Sequence, residues 1–262
     1  MNNKNPSFGH IYLVGAGPGD PELLTLKAAK LIENADYLVH DGLVSDEILA
    51  LAPENTIKIS VAKQRSRHSL PQDKINSLLV DLCKGGANVV RLKGGDPFIF
   101  GRGGEELEYC RANGCNVNIV PGISAAIGSA AQHAMPLTHR DHSSIVSFVA
   151  GQCKGLSDQN WAGLAGNGRT LVIYMGLANA HKITEKLIAD GLSPNCPVAI
   201  IENGTREYSR SYRSILDDLS GLAKRNAIKS PAIIIVGDIV NNSDAQAQFA
   251  SIAAQVETES KK

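Results

Sequence analysis

The sequence predicts an α/β protein of two domains, and three observations support this fold class. The chain has 262 residues, more than a single hydrophobic core usually holds. Short apolar runs alternate with amphipathic segments from about residue 10 to residue 237, which is typical of strand–helix units that form a mainly parallel sheet. All periodicity stops at residues 136–140. We therefore predict one α/β domain over residues 9–137, a second over 138–240 with a cleft between them, and a polar tail over 241–262.

The first strand–helix unit has the clearest pattern. Residues 10–14 predict a strand, 15–21 a turn, and 22–35 a helix, because apolar residues recur on one helical face. The remaining elements follow from the same two periodicities and from Gly and Pro punctuation. Strands are predicted at 36–40, 57–61, 88–92, 117–120, 145–150, 170–175, 198–202 and 232–236, with helices beginning near 71 and 104 and a small-residue helix ending near 133.

Composition narrows the function classes. Lys and Arg total 26 and Asp and Glu total 26, so no field of the whole molecule attracts it to nucleic acid or to an anionic membrane. The five cysteines have no C-x-x-C spacing, and the seven histidines match no zinc signature, so we predict reduced thiols and no metal. The N-terminus lacks a signal-peptide core, and no apolar run approaches the roughly 18 residues of a membrane helix. We therefore predict a cytoplasmic protein.

The segment Gly15-Ala16-Gly17-Pro18-Gly19-Asp20-Pro21 resembles a dinucleotide-binding turn at first sight. The fingerprint G-x-G-x-x-G fails, because Asp20 stands where the third glycine belongs. Pro18 also removes a backbone N–H from the loop that would hold a phosphate, and no P-loop motif occurs. Phosphate binding is therefore disfavoured at this turn, and tight-turn chemistry alone remains an alternative.

A second glycine-rich segment follows the strand at 88–92 and reads RLKGGDPFIFGRGGEE over residues 91–106. Its glycines, flanking aromatic residues and Asp96 would let a flat ligand lie against exposed backbone. Ligands of open α/β sheets bind beyond the carboxyl ends of the strands, where both glycine-rich turns are expected. We therefore predict that the two turns face one site.

The chain resembles the uroporphyrinogen-III C-methyltransferases of the tetrapyrrole methylase family over about residues 9 to 240. The resemblance rests on motifs in the family's order: GAGPGDPELLTLKA, HDGLVS, RLKGGDPFIFGRGGEE, VPGISAA, MPLTHR, IYMG, IENGT and SPAIIIVGDIV. It implies two α/β domains, a parallel sheet in the first and a mixed sheet in the second, with the active-site cleft between them. It also implies a homodimer. Ser124 departs from the threonine common in the family and retains the hydroxyl.

The resemblance implies S-adenosyl-L-methionine as methyl donor and S-adenosyl-L-homocysteine as product. The positions that match the family's donor contacts are Pro18, Gly94, Gly95, Asp96, Ile99, Ser124, Ala125, Met175 and Gly204. The residues themselves agree with these roles, since glycine backbone can approach a ligand closely and Met175 and Ile99 offer apolar contact. For Met175 alone, core packing is the alternative.

The implied reaction methylates carbons 2 and 7 of uroporphyrinogen III, giving precorrin-2 by way of precorrin-1 for siroheme or cobalamin biosynthesis. Asp41 matches the family's proton acceptor and Lys63 its proton donor, and either could instead position the substrate. Because the substrate is a polycarboxylate, local cations must bind it. The candidates are Arg65, Arg67, His68, Arg91, Arg102, His139 and Arg140.

Two alternatives stay open. A methyltransferase acting on a later corrin precursor would have nearly the same donor site. A nucleotide- or RNA-binding module could use the glycine turns and the basic segment 63–68, although the absence of a P-loop and of net charge counts against it. The methylase motifs begin near residue 9, so we expect a chain that only methylates. The zero net charge leads us to expect that it binds neither nucleic acid nor membrane.

Overall fold

The computed structural model describes residues 8–62, 70–152 and 159–244. The chain divides into two compact units between Ala125 and Ala126. Each unit contains a five-stranded sheet with its own helices. The predicted two α/β domains are thereby confirmed. Among the described residues, no helix has both the length and the apolar character needed to cross a bilayer.

The first unit is built on an all-parallel sheet, as predicted. Its strands lie in the order β3-β2-β4-β1-β5. The carboxyl ends of parallel strands share one edge, so the loops that follow β1, β2, β4 and β5 all emerge there. The strands are β1 (His10–Gly15), β2 (Tyr37–His40), β3 (Ile57–Ser60), β4 (Asn88–Lys93) and β5 (Asn116–Val120).

Helices cover both faces of this sheet. They are α1 (Leu26–Glu33), α2 (Asp46–Leu49), α3 (Gln72–Lys84) and α4 (Gly103–Ala112). Apolar residues on opposite faces form separate clusters, with Leu13 and Val39 in one and Val14 and Leu38 in the other. Neighbouring residues of one strand face opposite sides, so near-continuous apolar runs serve both cores.

The first helix starts later than its periodicity predicts. Thr25 has extended backbone and its hydroxyl accepts a hydrogen bond from the Ala28 N–H, so it caps α1 at Leu26. Residues Pro21–Leu23 form a separate 3-10 turn, whose Glu22 N–H donates to the Asp20 carboxylate. Local side-chain capping therefore divides the predicted helix 22–35 into two pieces.

The second unit contains a mixed sheet in the order β6-β7-β10-β8-β9, in which β6 and β7 form the one parallel pair of neighbouring strands and the other three pairs are antiparallel. The edge strand β9 was not predicted, because its sequence RSYRSI lacks an apolar face. Its pairing with β8 creates the strand. The elements are α5 (Ala125–Gln132), β6 (Ser143–Ala150), β7 (Gly168–Tyr174), α6 (Ala180–Ala189), β8 (Pro197–Glu202), β9 (Arg210–Ile215), α7 (Leu219–Arg225) and β10 (Ala232–Val236).

The division between the units comes before the predicted junction at 137/138. Helix α5 belongs to the second unit, except for its first residue, because its contacts are there. The Ala126 N–H donates to the Tyr174 hydroxyl at 3.1 Å, and the Thr205 N–H donates to Gln132 Oε1 at 2.6 Å. The small-residue helix is thus the first element of the second unit, although its sequence pattern continues without interruption from the first.

The burial of His133 predicts that the stability of the second unit depends on pH. Burial and, secondarily, the charge of Arg213 lower the pKa of His133 from its ordinary value of 6.5, and its Nε2 lies 2.8 Å from Ser209 Oγ. The folded state favours the neutral imidazole of His133, whereas the unfolded state binds a proton below about pH 6.5. The contribution of His133 to the free energy of unfolding is therefore complete above about pH 6.5 and is lost as the pH falls through the folded pKa. We expect His133→Gln to reduce the fall in melting temperature between about pH 7.5 and pH 5. His181→Gln, at an exposed histidine of the same unit, should leave that fall unchanged.

Candidate functional site

The two glycine-rich turns of the first unit lie side by side. The Gly95 N–H donates to the Gly17 carbonyl at 2.7 Å, and the Gly17 N–H donates to the Gly95 carbonyl at 3.2 Å. This bridge joins the loop after β1 to the loop after β4 at the carboxyl edge of the parallel sheet. The turns therefore open onto one edge, where ligands of such sheets bind.

A third backbone segment packs against the bridge. A Cβ atom on Gly122, in the loop after β5, would lie 2.3 Å from the Gly95 carbonyl oxygen and 2.8 Å from Gly15 Cα. A Cβ on Gly15 would in turn lie 2.5 Å from the Gly122 nitrogen. Only glycine permits this approach of three loops, so Gly15 and Gly122 have a packing role at the site.

Asp96 ties two of these loops together. Its Oδ1 accepts a hydrogen bond from the Phe98 N–H at 2.8 Å, and its Oδ2 accepts one from the Gly122 N–H at 3.0 Å. The carboxylate thus closes its own turn and holds the loop after β5. Each oxygen retains a second lone pair, so a ligand contact remains possible in addition to the structural role.

Asp41, which follows β2, links two loops in the same way as Asp96. We call such a carboxylate, which accepts one backbone N–H on each oxygen, a clasp. Its Oδ1 accepts from the Leu43 N–H at 3.0 Å, and its Oδ2 accepts from the Gly94 N–H at 3.2 Å. A Cβ on Gly94 would lie 2.7 Å from Leu43 Cβ, so glycine is required for this contact as well. Asp41 therefore lies directly beside the second glycine turn, and its carboxylate is oriented by two backbone donors.

The two glycines of the bridge are buried, and each would admit a Cβ atom at ordinary contact distance. Gly17 and Gly95 have φ angles of +70° and +73°, and an added Cβ would meet no atom closer than 3.6 Å at either position. Pro18 is half-buried, Ile99 is exposed, Ser124 is buried and Ala125 is half-buried, so this edge combines backbone with small and apolar side chains. Such a surface fits a ligand with a flat apolar part and a few polar groups.

A buried charged cluster lies behind the second turn. Glu106 Oε1, on α4, accepts from Lys93 Nζ at 2.9 Å and from Arg91 Nε at 3.2 Å, and all three side chains are at most 4% exposed. Gln72 Nε2 donates to the same oxygen. Burial, followed by the nearby charge of Arg91, lowers the pKa of Lys93. We refer to Arg91, Lys93 and Glu106 as the buried triad.

The prediction that Arg91 binds substrate needs correction. Its side chain is 4% exposed, and its guanidinium donates to Glu106 and to the Leu92 carbonyl. A buried cation paired in this way is held inside the protein and is not offered to a polycarboxylate. Arg91 therefore links α4 to β4, and the substrate cations must be sought elsewhere.

Two further candidate residues belong to the second unit. Met175 follows β7 with a φ of +55° and is 48% exposed, so it is not the core residue that its type alone suggests. Gly204 follows β8, and a Cβ there would lie 1.9 Å from Ser129 Oγ. Its neighbours Asn203 and Thr205 also have positive φ angles. Backbone held in this uncommon region is often found at functional sites.

Comparison with known proteins identifies the family. The sequence profile of the tetrapyrrole (corrin/porphyrin) methylases matches residues 10–220. The chain belongs to this family. Among curated relatives of this tetrapyrrole methylase, it is 48% identical over 242 residues to a siroheme synthase of Pseudoalteromonas translucida, and 47% identical over 242 residues to one of Pseudomonas aeruginosa. These alignments cover 92% of this chain and 51% and 52% of the relatives, so the chain spans about half the length of the curated relatives it matches.

Solved structures agree with the family assignment. A uroporphyrin III C-methyltransferase from Thermus thermophilus complexed with S-adenyl homocysteine is 34% identical, with a TM-score of 0.73, and the match covers 88% of this chain and 93% of that one. A second structure of the Thermus thermophilus enzyme is 35% identical with a TM-score of 0.75, covering 89% and 94%. A cobalt precorrin-4 methyltransferase, 24% identical with a TM-score of 0.75 and covering 88% and 95%, shares the fold.

Three further predicted substrate cations of this methylase lie within the described residues, and all three are exposed. Arg102, in the first unit, has a φ of +58° and forms a two-pronged ion pair with Glu105 at 2.7 and 2.8 Å. His139 and Arg140, in the second unit, lie in the loop before β6, where the His139 ring accepts from the Asp141 N–H. Lys63, Arg65, Arg67 and His68 lie outside the described residues.

Two features of the methylase site were not found from the sequence. The sequence analysis assigned no role to Lys93 and Glu106. Two cations two residues apart on one strand, Arg91 and Lys93, followed by a carboxylate on the next helix could have indicated a buried ion pair. The packing of Gly15 against Gly122 could not have been read from either segment alone.

Among the described residues, no cluster of His, Cys, Asp or Glu is arranged to hold a metal ion.

A cavity of the second unit is lined by none of the site residues described above. It has a volume of about 660 Å³ and opens at the amino ends of β7 and β8, near Trp161, Arg169 and Asp190. Met175 and Gly204 follow the carboxyl ends of the same two strands. None of the described candidate residues lines this cavity, so its size does not make it the candidate site.

Proposed function

We propose that this tetrapyrrole methylase transfers methyl groups from S-adenosyl-L-methionine to carbons 2 and 7 of uroporphyrinogen III, giving precorrin-2 by way of precorrin-1. The observation that carries the proposal is 34% identity across 93% of a uroporphyrin III C-methyltransferase complexed with S-adenyl homocysteine. The siroheme synthase relatives support a place in siroheme biosynthesis. A place in cobalamin biosynthesis is proposed from the family resemblance alone.

The donor would lie against the bridge of Gly17 and Gly95. Gly94, Gly95 and Asp96 supply backbone and a carboxylate there, and Pro18, Ile99, Ser124 and Ala125 supply small and apolar contacts. When bound, the donor provides an electrophilic methyl group, and the electrons of the broken carbon–sulfur bond remain on sulfur. Met175 and Gly204 are proposed as further contacts from the second unit.

Asp41 is proposed as the proton acceptor. The pyrrole carbon that gains the methyl group becomes nucleophilic by donation from its ring nitrogen, and the nitrogen proton must then leave. The two backbone hydrogen bonds that Asp41 accepts fix the carboxylate in place, and each of its oxygens retains a lone pair for that proton. Lys63 is proposed as a proton donor from the family resemblance.

The substrate carboxylates require cations. Arg102, His139 and Arg140 are exposed and remain proposals, together with Arg65, Arg67 and His68. Arg102 would have to exchange its pair with Glu105 for a substrate carboxylate. Such an exchange costs little, because an exposed ion pair is worth roughly 1 kcal/mol or less.

An assay with isotope-labelled donor and purified uroporphyrinogen III tests the function. We expect a product that carries two labelled methyl groups, identified by its mass. Absence of methylation with uroporphyrinogen III, together with methylation of a later corrin precursor, would replace the proposed substrate by the rival one. We also propose a homodimer from the family resemblance and a cytoplasmic location from the scattered cysteines of the sequence. Light scattering of the purified protein would give the oligomeric state.

Asp96→Asn should weaken donor binding. The Phe98 and Gly122 N–H groups face different oxygens of Asp96, and an amide replaces one of these oxygens by an NH2 donor, so one N–H group would face a donor and lose its acceptor. One loop would therefore lose its attachment, and we expect the affinity for S-adenosyl-L-homocysteine to fall about tenfold, since a hydrogen bond to a charged group contributes roughly 1.5–3 kcal/mol. Calorimetric titration measures this, and an unchanged affinity would remove Asp96 from the donor site.

A further inference from the structure

Lys93 places a buried positive charge directly behind the second glycine turn. It is the last residue of β4 and is 3% exposed. The next residue, Gly94, donates its N–H to Asp41, and Gly95 forms the bridge to Gly17. The Lys93 ammonium also interacts electrostatically with Asp41, the carboxylate that accepts the Gly94 N–H.

The triad contains one cation more than its carboxylate can balance. Arg91 and Lys93 share the single oxygen Glu106 Oε1, and an Arg91–Glu106 pair would already be neutral. The charged groups that act on Lys93 are Arg91 on its own strand, Glu106 and Glu105 on α4, and Asp41 after β2. Burying an extra ammonium is costly, and an apolar side chain of similar volume would be cheaper. The additional charge therefore calls for a function.

We propose that Lys93 is a positioning residue for methyl transfer, whose charge offsets the carboxylates of Asp41 and Asp96 at the glycine turn and weakens binding of a sulfonium donor relative to its neutral product. This inference rests on the proposed function. It concerns the electrostatic balance of the donor site and requires no contact between Lys93 and the donor.

The net charge around the donor affects the rate of methyl transfer, because the reaction removes the positive charge from sulfur. As the methyl group moves to the pyrrole carbon, the carbon–sulfur bond breaks, its electron pair stays on sulfur, and the positive charge leaves sulfur. Two uncompensated carboxylates would stabilise the cationic donor more than the transition state, and only differential stabilisation of the transition state accelerates the step. A nearby buried cation opposes that excess stabilisation of the bound donor.

Lys93→Met tests the inference by a ratio of affinities. The affinities of S-adenosyl-L-methionine and S-adenosyl-L-homocysteine are measured by calorimetry at neutral pH for the unsubstituted protein and the variant. These ligands differ by one methyl group and one charge, so a general change in the turn acts on both and cancels in the ratio. We expect the ratio to shift toward S-adenosyl-L-methionine by about threefold or more, on the scale of a charge interaction at moderate dielectric.

The matched control is Lys186→Met in the second unit. Lys186 is also largely buried and is paired with Asp190 at 3.1 Å, so its replacement controls for loss of a paired lysine elsewhere. Its ratio should equal that of the unsubstituted protein. If Lys93→Met does not fold, Lys93→Gln removes the same charge and should give the same shift.

An unchanged ratio, or a shift toward S-adenosyl-L-homocysteine, would overturn the inference while leaving the proposed function intact. Failure of the unsubstituted protein to bind either ligand would instead overturn the proposed function, and this inference with it. The two failures are therefore distinguishable in one set of titrations.

Discussion

Asp41→Asn is expected to lower the rate of methylation by about 10² to 10⁴, the range over which a general base contributes. The amide cannot take up the proton that leaves the substrate. A steady-state assay with uroporphyrinogen III at saturating donor measures the rate, and a near-wild-type value would contradict the role of Asp41 as proton acceptor.

The structure supplies the control that this experiment needs. Asparagine also disturbs the clasp, since Asp41 accepts one N–H on each oxygen. Asp96 has the same arrangement, with one N–H on each oxygen, and is not proposed to accept a proton. At saturating donor, Asp96→Asn should therefore lose much less rate than Asp41→Asn. Equal losses would assign the effect to the loops and not to proton transfer.

Glu106→Gln is expected to destabilise the first unit by about 3–5 kcal/mol, because removing one partner of a buried pair leaves uncompensated charge. Two cations, Arg91 and Lys93, would lose the carboxylate that both contact. The free energy of unfolding, obtained from chemical denaturation, measures the loss.

Glu105→Gln is the matched control on the same helix. Glu105 is 54% exposed and pairs with the exposed Arg102, so its substitution should cost less than about 1 kcal/mol. If the two variants were equally stable, the triad would contribute nothing to the first unit. A selective loss in Glu106→Gln would confirm that the triad anchors α4 to the strand that carries the second glycine turn.

Prediction from the sequence succeeded where a local pattern determines the structure. All nine predicted strands are present. Six of them lie inside the two sheets, namely β1, β2, β4, β7, β8 and β10, and the other three, β3, β5 and β6, lie at edges. The prediction failed for β9, whose polar sequence becomes a strand only by pairing with β8. It also failed at the start of α1, where the Thr25 cap outweighs the apolar periodicity.

The sequence by itself determined the two α/β domains, the glycine-rich turns at the ends of β1 and β4, and the family, because periodicity and motifs are local and are preserved in the order of residues. Only the tertiary structure decided which side chains meet. It turned Arg91 from a substrate cation into a buried partner of Glu106, and it showed Asp41 and Asp96 as clasps between loops. The physical reason is that burial and hydrogen-bond partners depend on segments far apart in the chain, and no local pattern records which of them come together.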